Sequence, residues 1–205
     1  RVIADEQIKA LVVRIDSPGG AVQTSELIRR DIARVKEAGK PVVVSMGAVA
    51  ASGGYWIAAD ADAIWAEPNT ITGSIGIFGM VSTVQDSLAK IGVYTDGVGT
   101  AVNSGGWRSD RELTADSKAI FQATLEKGYK DFLSLVANGR EMSLDDVDAV
   151  AQGRVWSGAV AKGHGLVDEL GGLNDAINHA ARLASLGDSW KAKALQPARS
   201  PLEEL

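Results

Sequence analysis

The chain has 205 residues, a formal net charge of −5 at pH 7, 45% hydrophobic and 23% charged residues, the composition of a globular domain with one sizeable core. No cysteine is present, which excludes disulfide scaffolds, thiolate zinc sites and cysteine nucleophiles. Lysine and arginine are dispersed along an acidic chain, which speaks against nucleic acid as a partner. The 23 glycines gather at turns rather than in low-complexity tracts, as in α/β proteins with close backbone approaches. No apolar run of 18 residues occurs. The chain starts at Arg1 without methionine, directly before a strand-like segment. A piece of a longer protein is expected, with any export signal or anchor upstream.

Residues 10–15 of "ALVVRIDSPGG" form an apolar run ending in a Pro-Gly-Gly turn, which predicts a first strand. In "TSELIRRDIARVKEAG" the apolar residues Leu27, Ile28, Ile32 and Val35 recur at helical spacing. Thr24 or Ser25 is the expected N-cap there, and Gly39 the stop. "PVVVSM" is a continuous apolar strand of the kind buried on both faces of a parallel sheet. "AIWAEP" and "GSIGIFGM" are predicted as further strands, "VSTVQDSLAKIG" as a short helix and "VYTDGV" as another strand. A polar loop from Gly99 to Glu112 precedes a long helix over roughly Thr114 to Ala137. Helices follow near Leu144 to Ala151 and over "DAINHAARLASL", then an irregular tail from about residue 188. Strand–helix–strand alternation implies a mostly parallel sheet with right-handed crossovers. No repeat or linker divides the chain, so residues 1–205 are expected to form a single α/β domain with a helical C-terminal part.

Active sites of open parallel sheets lie beyond the carboxyl ends of the strands. Two segments place unusual residues there: "DSPGG" after the first strand and "AASGG" after "PVVVSM". Ser52 of the second would open a helix running toward Ala59. Two roles are open to it: a helix N-cap, or a nucleophile that a substrate backbone must approach closely. The N–H of Gly53, with one from Gly19 or Gly20, could form an oxyanion hole. "TGSIGIFG" adds Ser74, either as a further hydroxyl in the site or as part of a close backbone crossing.

A serine nucleophile needs a proton acceptor within reach. His179 lies on the helical stretch "DAINHAARL" and His164 in the turn "KGHGL", and neither context suits a base. A lysine kept neutral by burial is the alternative. The chain's ten lysines lie almost all on polar helix faces, and none follows a strand among small residues. A nucleophile is in view without its base.

Together, "RIDSPGG", "AASGGYWIA", "TGSIGIFG" and "AQGRVWSGAVAKGHGLVDELGG" resemble the signal peptide peptidase A family. These are membrane-associated bacterial serine peptidases of the Clp/crotonase fold, and the likeness runs from Ile8 to about Leu183 in the same order. The resemblance implies that Ser52 is the nucleophile and that Gly19 or Gly20 and Gly53 are oxyanion-hole residues. It also implies a Ser/Lys dyad, with Ser74 bonding and orienting the catalytic lysine. The chain departs from the family where that lysine is expected: the region reads "GVGTAVNSGGWRSDRELT". Depending on the anchor chosen, Val102 or Arg108 occupies the position, and arginine stays protonated.

Long members of the family are tandem duplications in which the C-terminal half carries the serine and the N-terminal half the lysine. This chain looks like such a C-terminal half, with its general base outside the chain. Peptide substrates such as cleaved signal peptides are a further implication; the apolar residues of "VAASGGYW" and "GIFGM" either line subsites or belong to the core. Self-association into a homo-oligomer, no metal or other cofactor, and attachment to the bacterial inner membrane on its periplasmic side through a missing N-terminal region are also implied. "VSTVQDSLAKIG" and the long helix are the candidate contact surfaces. Two other classes stay open: a non-catalytic scaffold or adaptor keeping the fold, and a crotonase-like acyl-CoA enzyme.

Overall fold

The structure, a computed structural model, describes residues 2–101 and 104–195. Val102, one of the two candidates for the lysine position, lies outside the described residues.

Strand β2 (Val42–Ala51) is the spine of the sheet. Val42 to Met46 are buried, which is why the run is apolar without alternation. Its first half pairs in parallel with β1 (Leu11–Ser17) on one edge and β3 (Ala63–Ala66) on the other. Its last three residues pair instead with β4 (Ile71–Gly73), and the β1–β2 register shifts between Ile15 and Ser17. A strand that changes neighbours along its length must curl, and this carries the chain from Ala51 straight into Ser52. Two hydroxyls fasten the curl: Thr70 Oγ1 donates to the Gly47 carbonyl at 2.8 Å and Thr72 Oγ1 to that of Ala50 at 2.7 Å. Strand β5 (Val155–Ser157) pairs antiparallel with β4, and β6 (Glu169–Leu170) continues beside β3 in parallel. The sheet is curled and mostly parallel, as the alternation of elements predicts.

Helix α1 (Val22–Glu37) and helix α2 (Gly53–Ala58) are fastened through one carboxylate. Glu26 accepts from Arg29 Nε at 2.7 Å, Arg30 Nε at 2.7 Å and Trp56 Nε1 at 2.8 Å, while Arg29 also reaches Asp60 at 2.6 Å. The Arg29 hydrogen bond, helped by those from Trp56 and Arg30, holds the Glu26 carboxyl down at about 2 against the opposing effect of burial. Helix α3 spans Gln85–Ala89. Helix α4 (Ala115–Arg140) crosses behind α2, where Phe132 meets the Trp56 ring at 4.7 Å between centroids. Burying a phenylalanine this completely is worth about 1.5–3 kcal/mol. Tyr55 is fully buried and its Oη donates to the Leu166 carbonyl at 2.8 Å. Helices α5 (Leu144–Val150) and α6 (Gly158–Gly163) flank β5, and α7 (Leu173–Leu183) covers Val43 and Ala63 with Ala176 and Ala180.

Several local expectations are corrected. Helix α1 starts at Val22 after Ala21, so neither Thr24 nor Ser25 is its N-cap, and Ser25 is buried against α2. Leu27 and Ile28 are exposed, and Ile32 and Val35 carry the buried face. "GSIGIFGM" is not a strand beyond Gly73, and "VYTDGV" is not one either. The short strands β5 and β6, of three and two residues, and the six-residue helix α6 are too short to show a period in the sequence. Residues 184–195 form no helix or strand. No helix among the described residues is long and apolar enough to cross a membrane.

Candidate functional site

Three segments converge where β1, β2 and β4 end. The β1–α1 turn brings in Gly19 and Gly20, the β2–α2 junction Ser52 and Gly53, and the end of β4 Ser74. An open cleft of about 440 Å³ lies there, lined by Ser52, Ser74, Gly76, Ile77, Phe78, Tyr129, Gln152 and Gly153. Its size is that of an ordinary small-molecule or peptide-side-chain pocket.

Ser52 sits by position at the N-terminus of α2, yet its side chain makes no capping hydrogen bond. The simple cap role is thereby corrected: the hydroxyl is not spent on the helix. Its backbone is held in the left-handed region at φ 52°, with its N–H donating to Gly73 at 2.9 Å and its carbonyl accepting from Trp56 at 2.8 Å. A non-glycine residue at such a φ is sterically costly and persists only where its surroundings impose it. Five described non-glycine residues have positive φ: Ser52, Ser74, Glu141, Gln152 and Ser185. Glu141 caps α4 and Ser185 lies just past the end of α7. The other three all line the cleft.

The glycines explain themselves by what a side chain would strike. A Cβ on Gly19, whose φ is 112°, would lie 2.7 Å from both the Gly53 nitrogen and Ser52 Cβ. One on Gly53 would run into Ser25 Oγ and lie 3.0 Å from the Gly20 nitrogen. Gly20 itself faces open space. The structure therefore separates the two candidates of the β1 turn. The Gly19 N–H donates to Ser17 Oγ at 3.2 Å, whereas those of Gly20 and Gly53 have no partner among the described residues and lie beside Ser52.

Ser74, at φ 50°, is fixed through its backbone: its N–H donates to Arg154 at 2.7 Å, and Gly153 donates to Ile75 at 2.9 Å. Tyr129 and the Gln152–Gly153 turn were missed from the sequence. The Gln-Gly pair is a turn signal inside a quoted motif, but nothing in the chain order says that it abuts Ser74. Tyr129 on α4 carried no signal at all. Its Oη donates to Asp148 Oδ1 at 2.5 Å and accepts from the Gln152 N–H at 3.1 Å. Burial, and then the bond to Asp148, raise the Tyr129 phenol above its ordinary range, while that hydrogen bond and one from Gln152 lower the Asp148 carboxyl.

No lysine and no histidine lines the cleft among the described residues. His179 Nδ1 accepts from Trp65 Nε1 at 2.9 Å, and His164 packs its ring 4.5 Å from that of Trp156. Arg108 lies in a loop outside the cleft, paired with Asp110 at 2.8 Å. Tyr55 and Trp56 of "VAASGGYW" belong to the core rather than to a subsite, whereas Phe78 of "GIFGM" is on the cleft wall. No group of three or more potential metal ligands occurs among the described residues.

A family model described as peptidase family S49 matches residues 34–187. Protease 4 of Salmonella typhi is 50% identical over 182 residues, a match covering 89% of this chain and 29% of that protein. The chloroplastic serine protease SPPA of Arabidopsis thaliana is 38% identical over 199 residues, covering 95% of this chain and 29% of that one. The chain thus spans less than a third of the length of these relatives. Among solved structures, a mutant ClpP1 from Listeria monocytogenes superposes with a TM-score of 0.52 at 17% identity, over 82% of this chain and 78% of that one. That likeness is one of fold.

Proposed function

The chain belongs to peptidase family S49, and from that premise we propose that it is the nucleophile-bearing part of a serine peptidase using a Ser/Lys dyad. Ser52 Oγ attacks a peptide carbonyl as its proton passes to a lysine amine, which Ser74 orients by a hydrogen bond. The carbonyl oxygen, becoming an oxyanion, is held by the N–H groups of Gly20 and Gly53. Collapse expels the amine fragment and leaves an acyl-enzyme, which water then hydrolyses. Gly19 serves the site by letting the turn close on Ser52. The observation that carries this reading is the uncapped Ser52, strained at φ 52°, beside two N–H donors with no partner among the described residues.

The lysine belongs to another part of the protein. Support comes from the absence of lysine on the described cleft wall and from the span of the chain against its relatives. On this reading residues 1–205 are one peptidase domain, the C-terminal half of a tandem protein. Peptides with small or apolar side chains, such as signal peptide remnants, are the substrates, with Phe78 and Ile77 on the cleft wall to meet them. Self-association is supported by the segment bearing Phe78, Met80, Ile91 and Tyr94, which are 88%, 76%, 74% and 81% exposed. Large apolar side chains left this open to solvent are the kind that a contact surface buries. The proposed location is the periplasmic side of the bacterial inner membrane, with the anchor supplied by sequence beyond this chain.

The test is a fluorophosphonate probe on the longer protein. Ser52 should be labelled stoichiometrically, and Ser52→Ala should abolish both labelling and peptide hydrolysis without lowering the unfolding temperature by more than a few degrees. Full hydrolysis by Ser52→Ala would refute the assignment. A second reading, a scaffold that keeps the fold, is favoured by the missing lysine alone, and an unlabelled Ser52 in the longer protein would establish it.

A further inference from the structure

The hydrogen bonds that fix Ser74 come from a turn that is itself held from behind. Gln152 sits at φ 56° and Gly153 at φ 74°, a left-handed pair that swings the chain from α5 back toward β4. From this turn the Gly153 N–H reaches Ile75 at 2.9 Å and the Arg154 carbonyl receives Ser74 at 2.7 Å. One residue earlier, the Gly73 carbonyl receives the Ser52 N–H at 2.9 Å. The two serines of the cleft therefore hang on one three-residue segment, and the 152–154 turn grips it from the far side. The crossing is tight: a Cβ on Gly76 would lie 2.9 Å from the Gly153 backbone.

Tyr129 holds the start of the turn, while Arg154 ties its end to the Ala149 and Ala151 carbonyls and to Gln152 Oε1. A phenol has one proton to give and lone pairs with which to accept. Here the proton goes to Asp148 Oδ1 at 2.5 Å, and the oxygen accepts the Gln152 N–H at 3.1 Å. Asp148 Oδ2 in turn accepts from Gln152 Nε2 at 3.1 Å. Asp148 thus decides the direction of the phenol proton, and that direction leaves the lone pair free for the strained backbone N–H. The Tyr129 hydroxyl links α4 and α5 to the turn, beside the Gln152 Nε2 bond to Asp148 and the Arg154 bond to the Ala149 carbonyl.

We infer that Tyr129 and Asp148 are positioning residues for the reaction, acting through the Gln152–Gly153 turn to set the orientation of Ser74 and the seat of Ser52. This inference rests on the peptidase reading above and adds to it two side chains and their part in the reaction. Loss of the strut loosens the turn at Gln152, and a misplacement of about 1 Å in a reacting constellation costs on the order of a hundredfold in rate. Binding is affected less, because the aromatic ring of residue 129 still lines the cleft when the hydroxyl is gone.

The experiment uses the longer protein and a fluorogenic peptide with small apolar side chains, together with the fluorophosphonate probe, every rate being expressed per folded molecule. Tyr129→Phe should lower kcat and the labelling rate by about tenfold or more, with KM within about twofold of wild type, the pattern of lost transition-state positioning. Asp148→Ala should fall in the same way, and Asp148→Asn, which keeps a carbonyl acceptor for the phenol, should recover most of the loss. A merely structural role would lower the folded fraction and leave the rate per folded molecule unchanged. Wild-type kcat in Tyr129→Phe, a rise in KM with kcat kept, or an Asp148→Asn no better than Asp148→Ala each overturns the inference. Should Tyr129→Phe fail to fold, the Asp148 pair decides. A wild-type protein unlabelled at Ser52 overturns the peptidase reading itself, and the inference with it.

Discussion

Replacing Gly19 by alanine tests the geometry of the cleft from its least conspicuous residue. Gly19 has φ 112°, a conformation that L side chains rarely adopt, and its added Cβ would meet the Gly53 nitrogen and Ser52 Cβ at 2.7 Å and the Ala51 carbonyl oxygen at 3.0 Å. None of these atoms is the far end of a flexible side chain, so the backbone must move. The strain costs about 1–3 kcal/mol, and forcing an extra carbon into a filled site about as much again. At roughly 2–4 °C per kcal/mol for a domain of this size, the unfolding temperature should fall by about 5–20 °C. The chain still folds, because domain stabilities run to about 5–15 kcal/mol. Function should suffer more. The displaced turn moves the Gly20 N–H away from the reacting carbonyl, and one lost oxyanion donor costs about a hundred- to a thousandfold in kcat.

The control is one residue away. A Cβ on Gly20 meets nothing within 4 Å, so Gly20→Ala should unfold no earlier than wild type, with a gain of about 0.4–1 kcal/mol from the less flexible unfolded chain. Its methyl group projects into open space beside Ser52, and its activity loss should appear mainly as a higher KM. Thermal unfolding, fluorophosphonate labelling and peptide hydrolysis of the longer protein read all of these. If Gly19→Ala labels at the wild-type rate with an unchanged unfolding temperature, the packing of the β1 turn against Ser52 is wrong.

Three further outcomes are expected. The isolated 205-residue chain should label slowly or not at all at Ser52, and rapid stoichiometric labelling would place a competent base within it. Tyr55→Phe strands the buried Leu166 carbonyl that Tyr55 Oη serves at 2.8 Å, so urea unfolding should report a loss of about 1–3 kcal/mol; an unchanged midpoint would dismiss that bond. Glu26 has its folded pKa lowered from 4.5 to about 2, so its contribution is complete above about pH 4.5 and is lost as pH falls toward 2. The stability gap between wild type and Glu26→Gln should therefore narrow between pH 7 and pH 3, and a constant gap would refute the linkage.

The sequence alone determined the parts of this protein whose physics is local. The apolar run of β2 declared a strand buried on both faces, the helical spacing of Ile32 and Val35 declared α1, and the small residues after two strands marked the turns that meet at the cleft. Ser52, Gly53, Gly19, Gly20 and Ser74 stood out as candidates after apolar strands, with a helix cap and a close backbone crossing as open alternatives, and their site roles came from the family resemblance. Where the local signal was ambiguous, the choice went astray. "GSIGIFGM" has strand composition but leaves the sheet at Gly73.

Only the tertiary structure decided what depends on contacts between residues far apart in the chain. Whether Ser52 capped its helix turned on where its side chain points, and that follows from a φ imposed by Gly73, Gly19 and Trp56 together. The separation of Gly19 from Gly20 turned on which N–H Ser17 already occupies. Tyr129, Asp148 and Gln152 lie on two helices and a turn, and their meeting behind Ser74 follows from the packing of α4 against α5. Periodicity reports which face of an element is buried. It carries no record of which element, far away in the chain, will be buried against it.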